Sequence, residues 1–369
     1  MKTANNNFNS LRYFMLTVVI MLGMVTIIAS NGDGDGGGGG NGNPNSLLSG
    51  DYQIHKVEYE SDNFIAQRFD GTADGDGNFN TDIGSIAYSI SDDRTVYISI
   101  PSQPSVEKEY GMVSSNGNLM MVTDAQLVDP NNQNDVETVF AVKKSTNMTA
   151  AMVSGEYIVS QVGRNSNGFY AGQILVVLQS DGTGTWLIQN HSQPAEVGLS
   201  GNLTFTGASN GTFTVNKDAG PDSGIVSPDA SLFVLTDGDL NDGDQDAHFA
   251  VGVRKSTTAP TLSGSFQLHF IGYDPANAYP TGPQFAARWT VVENAVNSAF
   301  DATSIVDSRG IAPGTTVAIP HTSVAMDGTF TAGPDSTDLS ILSPDGSFFA
   351  AVETDTAVDS EIKIGLAIK

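Results

Sequence analysis

The chain has 369 residues, with 16 Lys and Arg against 41 Asp and Glu, a formal charge of −25 and no cysteine. Without thiols there is no disulfide scaffold, thiol enzyme or Cys-ligated metal site. A chain of this sign lacks the positive surface that displaces counterions from nucleic acid or adheres to anionic lipid. The apolar fraction of 39% still supplies packed cores, and the length suggests two to three domains.

Residues 1–30 read as a targeting segment. Lys2 and Arg12 flank a polar start, Tyr13 to Ile28 is nearly all apolar, and Ala29-Ser30 offers the small residues that signal peptidase needs. The apolar run is long for a signal core and short for a membrane span of about 20 residues, so a cleaved signal and a retained membrane anchor both stay open. Either places the rest of the chain outside the cytoplasm, at the cell surface, in a periplasm or in the medium. Residues 31–46 (NGDGDGGGGGNGNPNS) form a flexible linker with nothing to bury. The sequence Ile28-Ala29-Ser30 followed by a glycine-rich stretch resembles a bacterial lipoprotein precursor, but Asn31 stands where that family has its lipidated Cys.

Beyond the linker, three landmarks recur in fixed order about every 110 residues. A small-residue turn with an aromatic comes first, at Gly50-Asp51-Tyr52, Gly155-Glu156-Tyr157 and Gly264-Ser265-Phe266. A turn entering an apolar strand follows, from Val113, Val226 and Leu342. An apolar strand ending in a cation closes each copy, at Lys143, Arg254 and Lys369. A further phrase, NGTFTV from Asn210 and DGTFTA from Asp327, appears in the second and third copies. The units are residues 47–146, 147–257 and 258–369.

Each unit reads as strands. Short alternating runs such as Tyr157 to Val162 are punctuated by Asp-Gly and Asn-Gly turns, about eight strands per unit. In the second unit they are expected at 155–163, 169–179, 184–190, 200–206, 211–217, 222–227, 231–236 and 246–254. Phe285 to Val296 is the nearest approach to a helix, but Thr290-Val291-Val292 argues for strand. The expected fold is all-β, three tandem antiparallel barrels, since closure removes exposed edges. The Gly-x-Tyr/Phe opening and closing cation resemble the calycin pattern, in which lipocalins open on Gly-x-Trp and pair first strand to last. The units also resemble uncharacterised secreted or lipoprotein-like bacterial proteins with Gly-x-Tyr, Ser-Pro-Asp-Gly and Val-x-Lys repeats, which implies export and a β fold. A six-bladed β-propeller is the main alternative, supported by Ser343-Pro344-Asp345-Gly346, and β-sandwiches are the other.

Candidate chemistry is sparse. Asp74, Asp76, Asn78 and Asp82, and Asp237, Asp239, Asn241 and Asp244, place oxygen ligands at near-alternate positions of two loops, as a calcium site requires. Neither run fits an EF-hand, because Phe79 and Asp242 stand where that loop needs Gly. Solvated turns in an acidic protein are the competing reading. His55 and His269 occupy one repeat position, with Ser160 in the second copy, and are expected on a solvent-facing strand surface. Asp92-Asp93 is expected as a hairpin turn, and no catalytic motif stands out. The expected function is an exported, non-enzymatic surface or matrix binding and spacer protein, calcium-dependent if the loops are ligands. A lipocalin-like small-molecule binder and an extracellular hydrolase on a propeller scaffold are the alternatives.

Overall fold

A computed structural model describes residues 43–60, 63–82, 84–99, 107–125, 135–217, 220–238, 246–276, 283–333, 338–354 and 361–369. The leader and most of the glycine-rich linker lie outside these residues. Among the described residues no helix is long and apolar enough to cross a membrane.

The first barrel runs β1 (Ser49–Glu60), β2 (Asn63–Asp74), β3 (Asn78–Thr81), β4 (Gly84–Ile90), β5 (Thr95–Ser99), β6 (Glu107–Val113), β7 (Leu119–Asp124) and β8 (Asp135–Lys143). The second runs β9 (Gly155–Asn165), β10 (Gly168–Leu178), β11 (Thr183–His191), β12 (Ser200–Gly207), β13 (Thr212–Lys217), β14 (Gly220–Val226), β15 (Leu232–Asp237) and β16 (Ala247–Arg254). The third runs β17 (Ser265–Tyr273), β18 (Gln284–Asn294), β19 (Ala299–Asp307), β20 (Thr316–Pro320), β21 (Thr329–Ala332), β22 (Asp338–Leu342), β23 (Phe348–Glu353) and β24 (Ile362–Ile368). The first two are closed antiparallel barrels; the third is an eight-stranded sheet of the same order. In it β20 and β21 share no ladder, and one bridge, His321 to Ala332, spans the gap. First-to-last pairing of β1 with β8, β9 with β16 and β17 with β24 excludes the propeller, whose blades would each close on themselves.

The recurring landmarks form one device at the closed end of each barrel. The opening glycine has positive φ, +95° at Gly50 and +85° at Gly264, and the closing cation of the last strand lies over it. The following aromatic points inward, and its hydroxyl reaches the second landmark's turn. Tyr52 donates to the Gly117 carbonyl at 2.7 Å and Tyr157 to that of Ala230 at 3.2 Å. Phe266 has no hydroxyl; it packs on Phe349 instead and under the Lys369 ammonium. The fourth landmark is present in the first copy too. Asp93 accepts from Thr95 N just as Asn210 does from Thr212 N and Asp327 from Thr329 N. Arg94, at φ +70°, replaces the glycines at 211 and 328, which hides the match in the sequence.

The three barrels close into a ring with approximate threefold symmetry. β2 packs on β16, β10 on β24 and β18 on β8, so each barrel sets its second strand against the next barrel's last. The chain leaving each barrel docks on that fourth turn of the next. Ser145 N donates to Asn210 O at 2.8 Å and Ser256 N to Asp327 O at 3.1 Å, while Arg94 Nη1 donates to Lys369 O at 2.7 Å. The outward faces of the strands therefore meet in a shared apolar cluster. It includes Val57, Tyr59 and Phe140 of the first barrel, Ile158, Val162 and Phe249 of the second, and Ile271, Phe348 and Ile364 of the third. Tyr59, Phe169 and Tyr273, one ring per barrel, stack near the axis with centroids 4.2 to 6.4 Å apart.

His55 and His269 are buried in this interface, not on a solvent face, because the strand surface they share is covered by the neighbouring barrel. His55 Nδ1 lies 3.4 Å from Thr236 Oγ1 of the second barrel, and His269 Nδ1 2.8 Å from Thr123 Oγ1 of the first. At the third contact Ser160 and Val352 take the corresponding positions. Desolvation, and secondarily Arg68, pulls the His55 pKa down to about 3. Desolvation and then Arg288 hold His269 well below its usual 6.5. Both imidazoles are thus neutral in the folded chain and take up protons only on unfolding. Their contribution is fully present above about pH 6.5 and lost as pH falls below it, by up to about 1.4 kcal/mol per pH unit for each ring. The double variant His55→Gln, His269→Gln should lose urea stability less steeply than the native chain between pH 6 and pH 4. Parallel curves would show that the rings contribute nothing to acid sensitivity.

Candidate functional site

The same inner positions carry different chemistry in the three lumens. In the first, Lys56 points inward and pairs with Glu58 at 3.0 Å and with Glu137. Burial opposes that charge, yet the two carboxylates outweigh it and hold the ammonium pKa above its usual value. In the third, Lys363 pairs with Glu361 at 2.8 Å, and Arg309 sits on Asp307 and over the rings of Phe270 and Phe285. That lumen keeps a cavity of about 220 Å³. In both barrels a cation of the chain itself faces the acids.

The second lumen is larger, about 420 Å³, and its described lining residues include no Lys or Arg. Gln161 stands where Lys56 stands, and His248 where Lys363 stands. Its lower wall is apolar, formed by Val159, Ile174, Val176, Trp186, Leu203 and Phe213 among others. The indole of Trp186 lies against Gly201, where a Cβ would meet ring atoms at 2.9 Å. Above this wall runs a polar belt. Asp237 of β15 is paired across the ladder with His248 of β16, and Asp222 of β14 is the next inward neighbour of Asp237. One ligand atom from each of these three buried residues falls within 4.8 Å of the others.

The belt continues around the mouth. His248 Nε2 lies 3.5 Å from Asp222 Oδ2, and its Nδ1 lies 3.3 Å from Asp246 Oδ2. Asp246 accepts from the Tyr170 hydroxyl through both oxygens, at 2.7 and 2.8 Å. Gly163 makes room for this contact, since a Cβ there would stand 2.6 Å from the Tyr170 oxygen. His191 stacks on the Tyr170 ring with centroids 4.9 Å apart, and its Nδ1 accepts from Gln193 N. Burial pulls its pKa below the ordinary value. An apolar pocket under carboxylates and imidazoles is equipped to hold an apolar body with a polar or cationic end.

The acidic runs expected as calcium loops fall in different places. Asp74 accepts from the backbone N–H groups of Asn78, Asp76 and Gly77 and from Asn78 Nδ2, at 2.7 to 3.0 Å. These donors, Asn78 first, draw its pKa down to about 2. The carboxylate is the tie of a tight turn, and a calcium ion would compete with those donors. Asp76, Asn78 and Asp82 are exposed, with Asp82 beyond the far end of β3. Asp239, Asn241 and Asp244 lie outside the described residues. Asp237 is buried and faces the lumen, so the described neighbours of its carboxylate are cross-strand residues and not its own loop. Asp222 and His248 were missed by the sequence reading because they are remote from Asp237 along the chain. Their signal is the alternation of β14 and β16, which puts both on the inner face. Asp92-Asp93 forms the expected turn.

No protein family and no curated protein matches the chain. Among solved structures it is similar to a double mutant of transferrin binding protein B from Haemophilus parasuis, at 8% identity and TM-score 0.30 over 86% of this chain and 75% of that one. Transferrin binding protein B from Neisseria meningitidis is similar at 9% identity and TM-score 0.30, over 87% and 76%. A protein of unknown function of the DUF3598 family from Nostoc punctiforme is similar at 9% identity and TM-score 0.19, over 59% and 95%. Each is a distant likeness and assigns this chain no family or partner.

Replacing Asp74 with Ala should destabilise the first barrel by about 1 kcal/mol, the usual cost of losing a side chain that satisfies turn N–H groups. The loss should be the same with calcium and with chelator. A loss seen only with calcium present would make Asp74 a metal ligand.

Proposed function

We propose that the chain is an exported, non-enzymatic binding protein whose ligand site is the lumen of the second barrel, and that the ligand is a small amphipathic molecule. One observation carries this reading. The second lumen is an open, largely apolar cavity of about 420 Å³ with its polar groups gathered at the mouth, within the usual range of about 300–1,000 Å³ for ligand pockets. The apolar wall takes the tail and the belt of Asp222, Asp246, His191 and His248 meets the head. Those carboxylates favour a cationic or hydrogen-bond-donating head over an anionic one. The leader-like residues 1–30 support export. Close packing of the barrels makes the repeats one compact body, which argues against a spacer role in which tandem copies add reach.

Trp186 lines this lumen and Trp289 the smaller cavity of the third barrel, so the two of the 369 residues that are Trp report on separate sites. An apolar fluorescent amine should quench Trp186 with saturation, and the quenching should persist in Trp289→Phe. Ile174→Trp, which fills the apolar wall, should weaken binding at least tenfold while the melting temperature stays within a few degrees. Saturable binding that survives Ile174→Trp and tracks Trp289 would move the site to the third barrel; no saturable binding would end the reading.

A further inference from the structure

We infer that Asp222, Asp237 and His248 form a binding site for a divalent transition-metal ion of the zinc class at the mouth of the second barrel. The inference is independent of whether the lumen holds a small molecule. Three lines meet here. The first is geometric. Three adjacent strands, β14, β15 and β16, each contribute one inward side chain at neighbouring positions, and their ligand atoms lie within 4.8 Å of one another. Ligands about 2 Å from one centre lie at most about 4 Å apart, so a small rotation of these side chains would bring all three onto one ion.

The second is orientation. The imidazole of His248 has different carboxylates at its two nitrogens: Asp246 at Nδ1, 3.3 Å, and Asp222 at Nε2, 3.5 Å. A metal-bound histidine carries a carboxylate at its far nitrogen that fixes the tautomer and aims the near nitrogen at the ion; Asp246 stands at that nitrogen here, close but not aligned as a hydrogen bond. Asp246 is itself fixed by the Tyr170 hydroxyl, so His248 has a supporting layer as well as co-ligands.

The third is a comparison within the molecule. In the sister barrels the acids of the lumen face a cation built into the chain, Lys56 with Glu58 and Glu137, and Lys363 with Glu361. In the second barrel Gln161 and His248 take the positions of those lysines, so an imidazole, which ligates transition metals, stands where the third barrel has an ammonium. One imidazole with carboxylates, in a chain without cysteine, suits zinc or a similar transition ion; calcium needs six to eight oxygens.

The test uses the untagged full chain. Zinc should bind with one high-affinity site by titration calorimetry and raise the melting temperature with saturation, whereas magnesium and calcium at equal ionic strength should not. Cobalt should give visible d–d bands of a nitrogen- and oxygen-ligated site. Asp237→Asn and His248→Gln keep side-chain size and should melt near the native temperature without metal but lose both the zinc shift and the cobalt bands. Asp246→Asn, behind the histidine, should weaken zinc by roughly 10–100-fold. His321→Gln, in the third barrel, should leave zinc binding unchanged. The inference is overturned by absence of stoichiometric zinc binding, by zinc binding that survives both ligand variants, or by an equal response to calcium.

Discussion

Burial of the outward strand faces against one another is the constraint on which this architecture depends. A barrel of this kind needs only its inner face to be apolar, and the outer face ordinarily meets water. Here the outer face of the first strand in each copy is apolar as well: Val57 and Tyr59, Ile158 and Val162, Ile271 and Tyr273 all reach the shared central cluster. Those of them that are fully buried contribute about 1.5–3 kcal/mol each, against about 1 kcal/mol for one of the hydrogen bonds between barrels. The apolar contact therefore sets the assembly, and the linker bonds to the turns at 210 and 327 fix its rotation. The acidic charge of the whole surface does not oppose this, because the interface is built from the few faces that carry little of it.

Once the outer faces are committed to assembly, functional variation is confined to the lumens and their mouths. The three copies use that freedom differently. Lys56 pairs with two acids on the inner face of the first barrel, Arg309 and Lys363 line a smaller third cavity, and the second has an imidazole, carboxylates and an apolar well. One fold thus carries two copies braced by their own ion pairs and one copy with room and charge for something else. Function in this reading belongs to the copy that departs from its sisters, while the repeat supplies the framework that holds it.

The sequence was informative about strands and nearly silent about their partners. The strands of the second unit lie where alternation and turn dipeptides place them, within a few residues, because each hairpin is a local feature. The landmarks were legible for the same reason, although the fourth one in the first copy was masked by Arg94 taking a positive φ usually left to Gly. Barrel-to-barrel contact was not legible. His55 looked like a polar residue on an outer surface, and only the apolar Val57 and Tyr59 on the same side hinted that this surface is covered. The candidate site was missed for a related reason. Asp237 was read with its neighbours along the chain, whereas its described partners, Asp222 and His248, are neighbours across the sheet.

The central claim is that three barrels make one cooperative body. Scanning calorimetry of residues 43–369 tests it most directly, through the ratio of the calorimetric to the van't Hoff enthalpy. The account predicts a single transition with a ratio near one, since no barrel can unfold without exposing the shared apolar faces. Separate transitions, or a ratio near three, would show that the barrels are independent beads and that the central cluster contributes little to their stability.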